Sequence, residues 1–188
     1  ACLTGKEGNS LPGIMHLKPG DPAPWFTLPS TDNPNYAFHS VAGRYVLLAF
    51  IGSAARPEAQ AALAAIAARR DLFDDENACV FGISVDAADR DQGRLKPSIP
   101  GIRFLFDLEG KVCRDYGVVR KDRLRPEGPD VFTPGWLLMD PMLRVIEARP
   151  LAEAAAILDR LAALPPASNH AGTDIPPPVL VLPRVFDP

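Results

Sequence analysis

The side chains best suited to nucleophilic chemistry in this 188-residue sequence are three cysteines, Cys2, Cys79 and Cys113. They are too far apart in sequence to form a metal-binding cluster or the framework of a disulfide-rich domain. The histidines His16, His39 and His170 are equally scattered. We therefore expect no metal site, no cofactor and no structural disulfide. If thiol chemistry occurs, Cys113 and Cys79 are the candidates, although an isolated cysteine commonly serves as a small buried apolar group.

A second group of candidate residues follows a long apolar run. Ser53 is followed by Ala55-Arg56-Pro57-Glu58, a sequence typical of the start of a helix, because Pro57 fits the first helical position and Glu58 favours the positive end of the helix dipole. Helix N-termini attract anions, so Ser53 and Arg56 form a candidate anion-binding pair. In the alternative interpretation, Arg56 pairs with a nearby acid or extends into solvent.

The elements around this group can be predicted from the pattern of apolar residues. Residues 45–51 are almost continuously apolar, which indicates a strand buried on both faces. Gly52 and Ser53 interrupt the run, and an alanine-rich helix with one apolar face follows from Pro57. The predicted unit is a buried strand, a tight turn and a helix that carries the candidate residues at its first turn.

Similar units follow along the chain. Strands are predicted at residues 79–85, 102–107, 135–140 and 145–148, a short helix at 108–118 that ends in Gly117, and a closing amphipathic helix at 151–164. Asp86 is placed to begin another short helix. A hairpin is expected near residues 26–40, and residues 119–131 are expected to form a solvated loop or a basic flap over the candidate site. This order predicts an α/β fold with a central mixed sheet flanked by helices.

Four short segments of the sequence form distinctive motifs. They are Gly-Asp-Pro-Ala-Pro-Trp-Phe-Thr-Leu at 20–28, Gly-Ile-Ser-Val-Asp at 82–86, the Asp107 to Tyr116-Gly-Val pattern, and Thr133-Pro134. These segments resemble the thioredoxin-like superfamily, and in particular its peroxiredoxin (AhpC/TSA, or redoxin) branch. The resemblance extends over residues 19–164. It implies that these residues form one thioredoxin-like domain.

The resemblance implies a reactive cysteine at the start of the helix after the first long strand. Ala55-Arg56-Pro57-Glu58 occupies the place of the thioredoxin Cys-x-Pro-Cys, and Ser53-Ala-Ala-Arg56 the place of the peroxiredoxin Thr-x-x-Cys. The cysteine is missing in both alignments. Pro134 stands where peroxiredoxins have an arginine that polarises the peroxide. It also matches the thioredoxin proline, which implies a cis Thr133–Pro134 peptide bond facing the Ala55–Glu58 loop.

Two functions remain open on these grounds. The first is a redoxin-like domain with a degenerate active site that acts as a non-catalytic binding, docking or regulatory module. The second is a thiol-dependent peroxidase or disulfide oxidoreductase that uses another cysteine such as Cys113. A fold alone does not decide between them, because function depends on the site.

The two ends of the sequence differ from the predicted domain. Residues 1–18 are predicted to be an irregular leader, and residues 165–188 a proline-rich linker with an apolar segment from Val179 to Phe186. That segment weakly resembles the first strand of prolyl-hydroxylase-like iron/2-oxoglutarate oxygenases. We expect it to dock on this domain, on a second copy of the chain, or on a following catalytic domain.

The overall composition limits the classes of partner. The formal net charge is −3 and 47% of the residues are hydrophobic, values typical of a globular protein, so neither nucleic acid nor a membrane surface is an expected partner. The sparse cysteines favour the reducing cytoplasm as the compartment.

Overall fold

The computed structural model describes residues 15–121 and 127–167. These residues contain nine strands and four α-helices. The strands are β1 (Thr27–Leu28), β2 (Tyr36–Ala37), β3 (Tyr45–Gly52), β4 (Ala78–Ser84), β5 (Ile102–Phe106), β6 (Val119–Lys121), β7 (Asp130–Phe132), β8 (Gly135–Met139) and β9 (Val145–Pro150). The helices are α1 (Pro57–Ala68), α2 (Ala87–Asp91), α3 (Lys111–Asp115) and α4 (Ala154–Ala162).

Five strands form the central sheet in the order β5-β4-β3-β8-β9. β3 is parallel to β4, and β4 is parallel to β5. On its other side β3 is antiparallel to β8, which is antiparallel to β9. The sheet is therefore mixed, as the sequence predicted, and β3 lies at its centre.

The apolar run of β3 is explained by its position between two cores. Val46, Leu48 and Phe50 belong to the core on one face of the sheet, which also contains the aromatic side chains of the N-terminal segment and α3. The alternating residues Leu47 and Ala49 belong to the opposite core, which contains the buried faces of α1 and α4. Because successive strand residues point to opposite faces, a strand covered on both sides must be apolar at every position.

The closing helix and the N-terminal hairpin follow the sequence prediction with small differences in their bounds. β1 pairs with β2 in an antiparallel hairpin, but β2 is only two residues long and continues as a 3-10 turn. Residues 151–153 form another 3-10 turn before α4 begins at Ala154. Met15, which the sequence analysis places in the irregular leader, is buried in the first core.

The segment after α3 differs from the predicted loop. β6 and β7 pair in a two-stranded antiparallel ribbon, Val119 opposite Phe132 and Lys121 opposite Asp130. The polarity of this segment concealed the strands, because both are largely exposed and only the end of the ribbon near Phe132 faces the domain. Within the described ranges, no helix combines the length and the hydropathy needed to cross a bilayer.

Candidate functional site

The candidate site lies where β3 gives way to α1. Gly52 ends β3 with a φ of +75°, a conformation that L side chains rarely adopt, and a Cβ atom there would lie 2.8 Å from the ring of Phe132. The chain then turns so that the Arg56 amide donates to the carbonyl of Ser53 at 3.1 Å. Arg56 is the N-cap residue of α1 and Pro57 its first residue. The strand, turn and helix are thus placed as the sequence predicted.

A network of hydroxyl and carboxylate groups holds this turn against the loop after β4. The Ser53 hydroxyl donates to the Asp86 carboxylate at 2.6 Å, and the Ser84 hydroxyl donates to the Asp89 carboxylate at 2.6 Å. The Ala54 amide also donates to Asp89, at 2.7 Å. Asp89 is fully buried, so its carboxylate depends on these donors in place of water.

Arg94 supplies the cation of this network. Its Nη1 atom lies 3.3 Å from a carboxylate oxygen of Asp86 and 3.3 Å from one of Asp89. Two carboxylates and one guanidinium leave the cluster with a formal charge of −1. The hydrogen bond from Ser53, the N-cap bond from the Ala88 amide and the nearby Arg94 together hold the pKa of Asp86 below its usual value.

The other predicted residues of the loop face solvent. Ala55, Arg56, Pro57 and Glu58 are all exposed. Within the described part of the chain, the Arg56 side chain makes no hydrogen bond or ion pair. Ser53 differs, because its proton already points to Asp86. An anion held by both Ser53 and Arg56 would therefore have to displace Asp86 from Ser53, and anion binding by this pair stays a prediction.

Pro134 immediately precedes β8, and the pairing of Gly135 with Phe50 places it beside the end of β3. Its carbonyl accepts a hydrogen bond from the Leu151 amide at 3.2 Å. The prediction of a cis Thr133–Pro134 bond is wrong, because the described residues contain no cis peptide bond. X–Pro bonds intrinsically favour the trans form, and the Thr133–Pro134 bond is trans in this structure.

Both cysteines of the described residues are free thiols and both are buried. Burial raises the pKa of Cys79 to about 12. Burial, together with the nearby Asp107 carboxylate, also raises the pKa of Cys113. Cys113 lies in the middle of α3, with its side chain in the first core. Cys2 lies outside the described residues.

Sequence reasoning identified Asp86 as a helix start but missed its partners Ser84, Asp89 and Arg94. Asp86 does cap α2, since its carboxylate accepts the Ala88 amide at 2.9 Å. An acid at the N-cap and another three residues later could have indicated a capped helix. Nothing in the sequence indicated that Asp89 would turn inward to the Ser53 loop, because acidic residues are almost never fully buried unless they are paired. No group of three or more metal-ligating side chains occurs in the two described ranges.

Comparison with solved structures identifies the fold. Peroxidoxin BcpB from Mycobacterium tuberculosis superposes with a TM-score of 0.63 at 20% identity, covering 80% of this chain and 99% of its own. The bacterioferritin comigratory protein of Xanthomonas campestris gives 0.60 at 18% identity, covering 73% of this chain and 90% of its own. These identities are low, and they establish a thioredoxin-like α/β fold.

Another solved structure also has a similar fold. A protein disulfide isomerase-like protein from Bacteroides thetaiotaomicron gives a TM-score of 0.55 at 16% identity, covering 79% of this chain and 90% of its own.

A search of curated protein sequences found no significant match. The model of the AhpC/TSA family matches residues 19–148, which is well over half of the 188 residues. The chain therefore belongs to the AhpC/TSA family.

Proposed function

We propose that this redoxin domain works by binding and not by thiol chemistry. The observation that carries the proposal is the identity of the residues at the start of α1. Ala55 and Arg56 occupy the turn and the N-cap, where the resemblance to redoxins expects a reactive cysteine. The turn leads from β3 into α1 and presents no sulfur atom at the helix N-terminus.

The rest of the loop provides a cation, Arg56, and a hydroxyl, Ser53, but they do not complete the arrangement that thiol peroxidation requires. That reaction needs a thiolate, a cation that stabilises it and a hydroxyl that donates to the peroxide. Here the hydroxyl of Ser53 donates to a carboxylate, Asp86, at 2.6 Å. The nearby cluster has a formal charge of −1, which offsets in part the stabilisation that the helix terminus and Arg56 would give to a thiolate. These features support the loss of the reaction at this loop.

The remaining described thiols do not provide a substitute. A nucleophilic cysteine must reach solvent and must have a low pKa. Cys113 and Cys79 are each fully buried, and the pKa of each is raised. At neutral pH both therefore stay protonated, which disfavours the alternative of a peroxidase or disulfide oxidoreductase built on Cys113.

Steady-state turnover tests the proposal. The X. campestris neighbour has alkyl peroxide reduction activity, so hydrogen peroxide and an alkyl hydroperoxide are the appropriate substrates. With thioredoxin or a small dithiol as reductant, we expect no turnover above the rate without protein. Turnover that disappears in Cys113→Ser would contradict the proposal and support the alternative.

The partner proposed for this module binds through the segment from Val179 to Phe186, which lies outside the described residues. The partner is a following catalytic domain or a second copy of the chain. Six of the eight residues are apolar, and burying each is worth roughly 1.5–3 kcal/mol. Amide hydrogen exchange tests this proposal: protection is expected across the segment, and exchange at the unprotected rate throughout would contradict docking.

The compartment proposed for the module is the cytoplasm. The two described cysteines are both unpaired thiols, which suits a reducing environment. Secretion of the native gene product into an oxidising compartment would contradict this assignment, and fractionation of cells that express it provides the measurement.

A further inference from the structure

A groove separate from the Ser53 loop lies between α1 and the edge strand β5. It encloses about 490 Å³, a volume typical of small-molecule sites. Its floor and walls are mostly apolar. The apolar lining includes Leu63, Ile66, Ala67, Leu95, Ile102 and Phe104.

The charged side chains that line the groove are all cationic. They are Arg70, just after α1, and Arg94 and Lys96 in the segment that leads to β5. Among the described residues, no aspartate or glutamate lines it. An apolar floor with basic residues and no acid complements a ligand that has a hydrocarbon part and an anionic head.

The three cations are not equivalent. The guanidinium of Arg94 is already engaged, because Nε and Nη2 donate to Gln92 at 3.1 and 2.8 Å and Nη1 contacts Asp86 and Asp89. Arg70 and Lys96 are exposed, and within the described ranges their side chains make no hydrogen bond or ion pair. These two side chains are therefore available for an external anion, whereas Arg94 is fixed.

We propose that this groove binds an amphipathic carboxylate, such as a medium-chain acyl anion, with the chain on the apolar floor and the carboxylate at Arg70 and Lys96. A guanidinium offers paired donors to a carboxylate, and the lysine adds a point charge. An inorganic anion would leave the apolar floor uncovered, and a neutral hydrocarbon would not use the two cations. Binding in the groove does not depend on the missing thiol, so failure of this proposal and failure of the proposed function are distinguishable.

Decanoate below its micellar concentration is the probe, and its titration into the full chain is followed by amide and side-chain chemical shifts. We expect saturable shifts at the groove residues. Decyltrimethylammonium, with the same tail and the opposite charge, should bind at least about threefold more weakly, the effect expected for one exposed charge contact. Equal affinities for the two probes, or no saturable shift, would overturn the proposal.

Charge-reversing variants test the head-group assignment. Arg70→Glu and Lys96→Glu should each weaken decanoate binding at least about threefold. Lys18→Glu makes the same charge change on an exposed residue outside the groove and should leave the affinity unchanged. Equal weakening in all three variants would indicate a general charge effect and overturn the assignment.

A blocking variant tests the floor. Ala67 is exposed on α1 and lines the groove, so Ala67→Trp adds a large side chain there without disturbing a buried position. Decanoate binding should be lost while the far-ultraviolet circular dichroism spectrum stays unchanged. Retention of full affinity would overturn the proposal, and if this variant fails to fold, the charge-reversing variants and the two probes still decide it.

Discussion

At the scale of single residues, the start of α1 offers a helix terminus without a nucleophile. Arg56 caps a helix of twelve residues, long enough for its dipole and free amides to stabilise a negative group. In the proposed binding module, this position lacks a sulfur atom, whereas the backbone at the helix terminus favours a negative group. Asp86, held by Ser53 nearby, opposes that stabilisation in part.

Introducing a thiol at the N-cap tests whether the helix terminus stabilises a thiolate. In a Cys2→Ser background, Arg56→Cys should give a thiol with a pKa below the ordinary value of about 8.5, because the helix terminus stabilises the thiolate. The measurement is the rate of alkylation by iodoacetamide as a function of pH. Gln60→Cys, exposed on the same helix one turn later, is the matched control and should titrate near the ordinary value. If the two thiols titrate alike, the placement of the helix terminus is contradicted.

At the scale of elements, the turn after β3 is held against α2 chiefly by one buried carboxylate, that of Asp89. Asp89 accepts from the Ala54 amide and the Ser84 hydroxyl and contacts Arg94. The Ser53 hydroxyl, which donates to Asp86 at 2.6 Å, adds a second link between the turn and the segment after β4. This contact couples the candidate site to α2 and to the segment that borders the groove.

Removal of that carboxylate should be costly. We expect Asp89→Ala to lower the free energy of unfolding by about 3–5 kcal/mol, because it leaves the buried Ala54 amide without its acceptor and removes one of the two carboxylates at Arg94. Denaturation in urea measures the change. Asp159→Ala is the control: Asp159 pairs with Arg69 at 2.9 Å but is 73% exposed, so its loss should cost less than about 1 kcal/mol. Similar losses in the two variants would contradict the role of Asp89.

The same elements show how far the sequence alone could predict the structure. β3 and α1 were predictable because the run at 45–51 and Pro57 carry strong local signals. The ribbon of β6 and β7 was not, because its exposed polar residues resemble a loop. The burial of Asp89 depends on contacts between loops that are 35 residues apart in the chain, and no local pattern encodes such a contact.

At the scale of the whole molecule, several carboxylates carry a lowered pKa in the folded state. Hydrogen bonds from Ser98 and Ser30 lower the pKa of Asp32, and those from Arg103 and the Gly101 amide lower that of Asp75. The Ser53 bond does the same for Asp86. In the unfolded chain these groups bind protons at higher pH, so the stability they contribute is fully present above their unfolded pKa of about 4 and is lost as the pH falls through the folded values.

The contribution of these carboxylates to the free energy of unfolding should therefore be constant between about pH 5 and pH 7. It should decrease as the pH falls below about 4. Asp75→Asn removes the carboxylate that binds Arg103 at 2.8 and 3.2 Å. This variant should be less stable at neutral pH and should lose less stability on acidification than the native chain. Urea denaturation at pH 7 and pH 3 measures both changes, and an unchanged pH dependence would contradict the assignment to Asp75.

The proposal that this redoxin domain has no thiol chemistry is tested most directly by a single-turnover measurement. The quantity measured is the rate at which the protein's own thiols react with peroxide. The fully reduced protein is mixed with a stoichiometric amount of an alkyl hydroperoxide, and the oxidation of each cysteine is followed by mass spectrometry. We predict that Cys79 and Cys113 react no faster than the same residues in the urea-unfolded chain, because both are buried and protonated. A reaction of Cys113 in the folded protein that is many times faster than in the unfolded chain would contradict the account.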